Sequence, residues 1–430
     1  MHISLDSALG RQRRLNSVGE SVLQIAPNAA AAYSLRSLTG GDPKVVRVRR
    51  SSDNAESDFT ASEVSSGALV NFVNEIQTLG TVTNSSGNNG FTLTNTSSTG
   101  FTATTDTATG VCGWPYTAKA GDKITVSFDA VIRSGTPQFL PRRATALSSD
   151  NLASVVSDSP LSVNSTASYS FEFTYDDDQA GSLTFSEGDD NADFDISNFQ
   201  VTVFKGAGFV ETWYDQSGNS RDSTQATAAR QPIIVDAGVF QDGLKFTHTD
   251  ATNGKILLVP RTAAELGQAF ALVYVGKVTE SDTSFNNLLG GLRGTQNYAT
   301  GTTGIAIKSS DGSVAFINES GTSSLVKSTS STTATLNEDF VAFATYEDQG
   351  AGPELTFQVD AGNQFFSLGS SYVTTSTKDI GIMNATAANG SYRTQESPTG
   401  ICREVLVYDT HQGDNRVALV DNINNQYNLF

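Results

Sequence analysis

The residues in this 430-residue chain whose types and spacing could do chemistry are few. Its three histidines, His2, His248 and His411, stand at no metal-ligand spacing with Cys or with one another. No Gly-x-Ser-x-Gly elbow occurs in a strand-to-helix context. The stretch GTTGIAIKSS at 301–310 lacks the Gly-Lys-Ser/Thr ending of a phosphate loop and reads as a hairpin. An acidic run, YDDDQAGSLTFSEGDDNADFD at 175–195, has oxygen donors of the kind calcium takes, with Asp189, Asp190 and Asp193 as the candidate ligands. EF-hand spacing is absent, so the competing reading is a solvated acidic loop. CGWPY at 112–116 offers Trp114 and Tyr116 as flat faces for stacking a sugar, against simple packing in a core.

Two polar strings are more particular than any of these. RVRRSSDN fills 47–54 and GAGFVETWYDQSGNSRDS fills 206–223. Arg49 or Arg50 is expected to pair with Asp53 or Asp215, since a planar guanidinium suits a bidentate carboxylate contact. Asn54 and the DQSGN stretch are expected to make turns, with Gly218 free to take positive φ. Trp213 and Tyr214 read as core fillers.

The elements that must position these residues are strands. The chain has 38 Gly, 24 Phe and 12 Tyr but only 10 Pro, and its Ser/Thr-rich texture suits short alternating strands joined by tight turns. KVVRVRR alternates Val46 and Val48 against Arg47 and Arg49. ITVSFDAVI, YSFEFTY and FDISNFQVTVF do the same farther on. The exceptions are APNAAAAYSLRSL, whose alanines predict one short helix, and the last twenty residues, where Val417, Val420 and Ile423 predict a terminal helix. A chain this long exceeds one ordinary core and implies more than one domain.

The formal charge of −18 argues against non-specific attraction to nucleic acid or an anionic membrane. Residues 1–50 go the other way, with eight Lys and Arg against three Asp and Glu, a net of +5 that leaves −23 on the rest. A basic start on an acidic body suggests docking onto an acidic partner, unless its arginines are ion-paired within the fold. Cys112 and Cys402 fall in segments assigned to different domains, so no disulfide framework is indicated. With no apolar leader at the N-terminus and no apolar run of spanning length, the expectation is a chain made in the host cytoplasm and not inserted in a membrane.

Taken together, AAYSLRSL, VRVRRSSDN, GFVETWYDQSGNSRDSTQATAARQP and the closing REVLVYD and NRVALVDNINNQYNLF resemble a concanavalin-like sandwich family found in structural proteins of tailed bacteriophages. That fold is related to the catalytic domain of arabinofuranosidases and to laminin-G-like domains. The resemblance implies an all-β chain: an N-terminal attachment arm at 1–25, the front of a concanavalin-like sandwich at 26–75, an inserted jelly roll of the carbohydrate-binding type at 76–205, and the back of the sandwich at 206–430.

It also implies a non-enzymatic virion protein, on a tail fibre, spike, head fibre or capsid surface. Its partners would be other virion proteins through the arm, further copies of itself with a trimer as the family expectation, and host-surface glycans. No cofactor is implied apart from the calcium considered above. The enzyme relationship supplies the alternative, a glycosidase or a purely lectin-like binder. A retaining glycosidase needs two carboxyl groups about 5–5.5 Å apart, and Glu265, Glu280, Asp282, Asp311 and Glu319 are the residues placed to supply them. None stands in a string matching the enzymes' catalytic motifs, and their adjacent-cysteine pair is missing.

Overall fold

The computed structural model describes residues 20–84, 91–104, 110–117, 122–142, 161–175, 181–187, 192–204, 206–248, 254–280, 285–290, 303–308, 312–320, 323–348, 353–367, 379–383, 385–386, 392–393 and 397–430. The fold is all-β, with antiparallel sheets and few helices. Two compact units divide the chain: one runs up to Val70 and resumes at Ala207, and the other is Asn71–Gly206.

In the discontinuous unit a 12-stranded sheet carries the site. Its order runs Gly362–Ser367, Pro353–Val359, Phe340–Asp348, Ala269–Glu280, Thr399–Tyr408, Val239–Phe246, Ile233–Asp236, Gly208–Trp213, Lys44–Arg50 and Glu56–Thr60. Strand Thr399–Tyr408 is the hinge of the arrangement. Its first part pairs with Leu244–Phe246 and its later part with Ala31–Ser34, so a piece from the start of the chain is hydrogen-bonded in the middle of the sheet. Gly208–Trp213, where the chain re-enters, pairs with Lys44–Arg50 in the register Val210 to Val48 and Phe209 to Arg49.

Alternation decides which side chains are inward. Val46 and Val48 are fully buried while Arg47 and Arg49 look outward and are half-buried, as period-2 geometry requires. A second sheet, Leu257–Thr262, Asp379–Ile382, Phe285–Gly290, Thr303–Lys308, Ser313–Ser320 and Ser323–Thr333, completes the sandwich. Phe270 of the first sheet meets Phe316 of the second at 6.1 Å.

The opposite face of the large sheet is covered by helices. Val22 and Ala26, at either end of helix Val22–Ile25, join Leu419, Val420 and Ile423 of helix Arg416–Tyr427 over Ala271, Val273, Phe343 and Leu406. Two expectations change here. AAYS is a strand, because it pairs with Thr399–Tyr408 and all four residues are buried, Ala32 beneath the covering helices and Tyr33 against Trp213; tertiary pairing overrides the helix propensity of alanine. The short helix lies upstream instead, in a segment expected to be an arm. In the terminal helix Leu419 faces the core and Val417 is 55% exposed, since 419, 420 and 423 share one helical face and 417 lies across from it.

The second unit has a six-stranded and a five-stranded sheet. Its core gathers Phe101, Trp114, Phe128, Phe139, Phe185, Phe194 and Phe199. Cys112 and Cys402 are free, buried, and in different units. Among the described residues no helix is long and apolar enough to cross a membrane.

Candidate functional site

The loop 215–222 is built as a clamp on segment 29–38. The Asp215 carboxylate accepts from the backbone N–H of Ala32 (2.9 Å), Ser217 (2.9 Å) and Arg221 (3.1 Å) and from the Ser217 hydroxyl (2.7 Å). The Gln216 side chain donates to the carbonyls of Ser34 and Arg36, both at 3.0 Å, and accepts from Leu38 N–H at 2.8 Å. Asn219 donates to the carbonyls of Ala29 and Ala30, and the Tyr33 hydroxyl donates to the carbonyl of Arg221. Gly218 turns the loop with φ 87°, a region open to glycine at no steric cost. These side chains supply partners to backbone groups of 29–38 beyond those engaged in the ladder with Thr399–Tyr408.

The closing strings complete the clamp from the other side. Arg36 donates Nε and Nη2 to the two oxygens of Glu404 at 2.8 and 3.1 Å, and Nη1 to Asn422 at 2.9 Å. The Tyr427 hydroxyl adds a bond to Glu404 at 3.2 Å. Glu404 is fully buried, so this pair fixes front strand, central strand and terminal helix together in a low-dielectric setting. Sequence reasoning missed it; an arginine and a glutamate 368 residues apart leave no spacing signal.

On the outer face near the sheet edge, Arg47 (2.7 Å), Lys44 (2.8 Å) and the Tyr214 hydroxyl (2.7 Å) all donate to Asp58. The Arg47 bond holds the Asp58 carboxyl well below the usual carboxylate range, against the opposing effect of partial burial. Burial and the bond to Asp58 push the Tyr214 hydroxyl up to about 12. Trp213 is fully buried against Tyr33, ring centroids 5.5 Å apart, whereas Tyr214 is only half-buried.

The expected ion pairs are redistributed. Arg50 pairs locally with Asp53 at 2.6 Å, and Asp53 also caps the turn by accepting from Ala55 N–H. Asn54 sits at φ 60° in that turn. Asp215 is not the partner of either arginine, because its oxygens accept from Ala32 N–H and from the donors of Ser217 and Arg221 in its own loop. Arg49 instead donates to the neutral oxygens of Gln231 (2.8 Å), Asn54 (2.8 Å) and Ala228 (3.5 Å). Its guanidinium lies 4.9 Å from the Phe209 ring centroid, and Lys255 Nζ lies 5.1 Å from the same centroid.

Trp114 and Tyr116 are core residues, 0% and 3% exposed. Trp114 stacks on Phe199 at 4.0 Å and touches Phe101 and Phe185 edgewise or tilted; Tyr116 meets Tyr175. Neither ring presents a face to solvent, so the expected sugar platform is not formed by this pair. Asp193 is paired to Arg133, with Asp195 beside it. Asp189 and Asp190 lie outside the described residues, among which no group of three or more His, Cys, Asp or Glu side chains converges on a metal position.

Of the carboxylates considered for glycoside cleavage, Glu265 accepts from Thr262 N–H and hydroxyl at 2.6 and 2.8 Å and closes a capping box. Glu280 is exposed at the end of its strand, Glu319 lies on strand Ser313–Ser320, and Asp282 and Asp311 fall outside the described residues.

No family model and no curated protein matches the chain. Solved structures similar to it include the CBM40 of Ruminococcus gnavus IT-sialidase bound to α2,3-sialyllactose, at 12% identity and TM-score 0.31 over 37% of this chain and 83% of that one. The Trypanosoma rangeli sialidase is similar at 15% identity and TM-score 0.33, over 60% and 43%. The enzymatically active domain of bacteriophage CBA120 tailspike protein 4 is similar at 13% and 0.23, over 28% and 19%. At these identities and TM-scores none of the likenesses carries information about what this chain does.

Proposed function

We propose that this chain is a non-enzymatic structural protein of a tailed-bacteriophage virion, displayed on the particle surface and adhering to host-surface glycans. The observation that carries the structural part is where the polar strings spend their hydrogen bonds. Asp215, Gln216 and Asn219 close on the backbone of 29–38, and Arg36 closes on Glu404. These side chains hold distant strands in register, which supports a structural role for the two strings.

The resemblance of those same strings to phage structural sandwiches supports the virion setting. The all-β architecture supports adhesion only at the level of fold, and fold alone does not transmit function. Of the basic residues in 1–50, Arg36, Lys44, Arg47 and Arg50 are ion-paired within the fold; the part assigned to attachment is the stretch 1–19 with Arg11, Arg13 and Arg14, which lies outside the described residues. Several copies on one particle would gain affinity through multivalency.

Immunogold labelling of purified source particles with antibody against this chain tests the proposal. Label on intact particles is expected, at fibres or tail tips for host adhesion and over the head for decoration. Particles that stay unlabelled when intact, permeabilised and disrupted would sink it. Release of sugar from aryl arabinofuranosides by the purified chain would replace it with the hydrolase reading.

A further inference from the structure

We propose that Arg49 and Lys255, gathered on the ring of Phe209, form a subsite for the anionic group of an acidic glycan: carboxylate, sulfate or phosphate. The proposal rests on the glycan-adhesion part of the function given above and names the ligand chemistry.

In a chain of net charge −18, cations normally find carboxylates, and Arg36, Lys44, Arg47, Arg50, Arg133, Lys245 and Arg403 all do. Arg49 and Lys255, like Arg142 and Arg416 elsewhere, do not: among the described residues every hydrogen bond they make goes to a neutral oxygen, and these two share one aromatic ring. Glu56, directly across the ladder from Arg49, makes no ion pair with either.

Both cations are nevertheless held in place. Lys255 Nζ donates to the carbonyl of Ala229 at 2.9 Å and Arg49 Nη2 to that of Ala228 at 3.5 Å, so the turn Ala228–Arg230 positions the two heads. Cation–π attraction to Phe209 adds to this. Partial burial lowers the Lys255 pKa, and the neighbouring Arg49 lowers it further. Two like charges within electrostatic reach of each other, neither with an ion-pair partner, repel, and a bound anion lowers that cost.

The donors are available. A guanidinium has five N–H groups and an ammonium three, so after the bonds above both retain N–H groups for a ligand. The half-buried Phe209 supplies an apolar floor, and the Gln231 and Asn54 amides flank it through their bonds to Arg49. Fixed charged donors beside an aromatic ring suit an anionic sugar better than a neutral one.

Isothermal titration of the full chain at constant ionic strength, with tetragalacturonate, sodium sulfate and neutral maltotetraose as separate probes, tests the subsite. Tetragalacturonate binding is expected, weakened at least about tenfold in Lys255→Met and in Arg49→Gln, the scale of one lost charge-assisted contact. Arg133→Gln, in the other unit, should bind as the parent does, and far-UV circular dichroism should show all three variants folded. Tetragalacturonate binding that is absent, or equal in parent and variants, overturns the subsite. Sulfate bound without tetragalacturonate overturns the glycan source. Maltotetraose bound equally by parent and variants overturns this subsite while leaving glycan adhesion standing.

Discussion

The carboxylate of Asp215 receives the backbone N–H of Ala32, 183 residues earlier in the chain, at 2.9 Å. Three further donors share that carboxylate. Asp215→Ala therefore strands backbone N–H groups that hydrogen-bond to a charge, at about 1.5–3 kcal/mol per such bond. A loss of at least about 3 kcal/mol, with water taking over part of the three bonds of this half-buried loop, is expected in the unfolding of the discontinuous unit, followed by Trp213 fluorescence in a Trp114→Phe background. An unchanged denaturation midpoint would show that the clamp is not what joins front to back.

Arg36 and Glu404 make a second long-range tie, 2.8 Å apart with the glutamate fully buried. Breaking a buried pair from one side costs about 3–5 kcal/mol, because the remaining charge stays buried. Glu404→Gln is expected to fall in that range by urea unfolding, while Asp53→Asn, at a half-exposed surface pair, should cost under about 1 kcal/mol. Similar losses in both variants would refute the distinction.

Trp114 fills the centre of the inserted unit against Phe199. Trp114→Ala should destabilise that unit by roughly 3–5 kcal/mol through the cavity it leaves. Any glycan affinity should track the folded fraction and survive in Trp114→Phe. Selective loss of glycan binding by a fully folded Trp114→Ala protein would restore the sugar-stacking role.

Burial raises the Asp360 carboxyl to about 6, with Glu338 adding to the shift and the bond from Val341 N–H opposing it. A carboxyl whose folded pKa exceeds its unfolded value near 3.9 binds its proton more tightly when folded. Stability from this group is therefore full below about pH 4, declines between about 4 and 6, and stays reduced above that. Asp360→Asn keeps the oxygen that accepts from Val341 and suits the φ of 49°. It should raise the melting temperature at pH 7.5 and leave it little changed at pH 4. A lower melting temperature at pH 7.5 would contradict this.

Val22 is fully buried and Leu23 N–H bonds the Leu38 carbonyl at 2.9 Å, so residues 20–25 belong to the sandwich rather than to an arm. Deleting residues 1–19 should preserve the melting temperature and abolish incorporation into particles; deleting 1–25 should also lower the melting temperature. Particles that incorporate the shorter deletion normally would remove the attachment role of the basic start.

Much of the fold is legible in local pattern. Val46 and Val48 alternate with Arg47 and Arg49, and that period of two is set by backbone geometry before any packing occurs. The turns at Asn54 and Gly218 are legible for the same reason, since only a few residue types accept positive φ without strain. The pairing of Arg50 with Asp53 needs a reach of three residues.

What the tertiary structure alone decided is everything that depends on distance in sequence. AAYS has the composition of a helix and becomes a strand because Thr399–Tyr408 offers a ladder there and the cores on either side bury all four residues. Asp215 looks outward for an arginine in sequence and turns in fact to Ala32. Trp114 has the same composition whether it is a platform or a core residue, and Phe199 beneath it settles which. Local propensities are worth tenths of a kcal/mol per residue, whereas burial and completed hydrogen bonds are worth several times that. Long-range partners therefore determine the outcome wherever the two disagree.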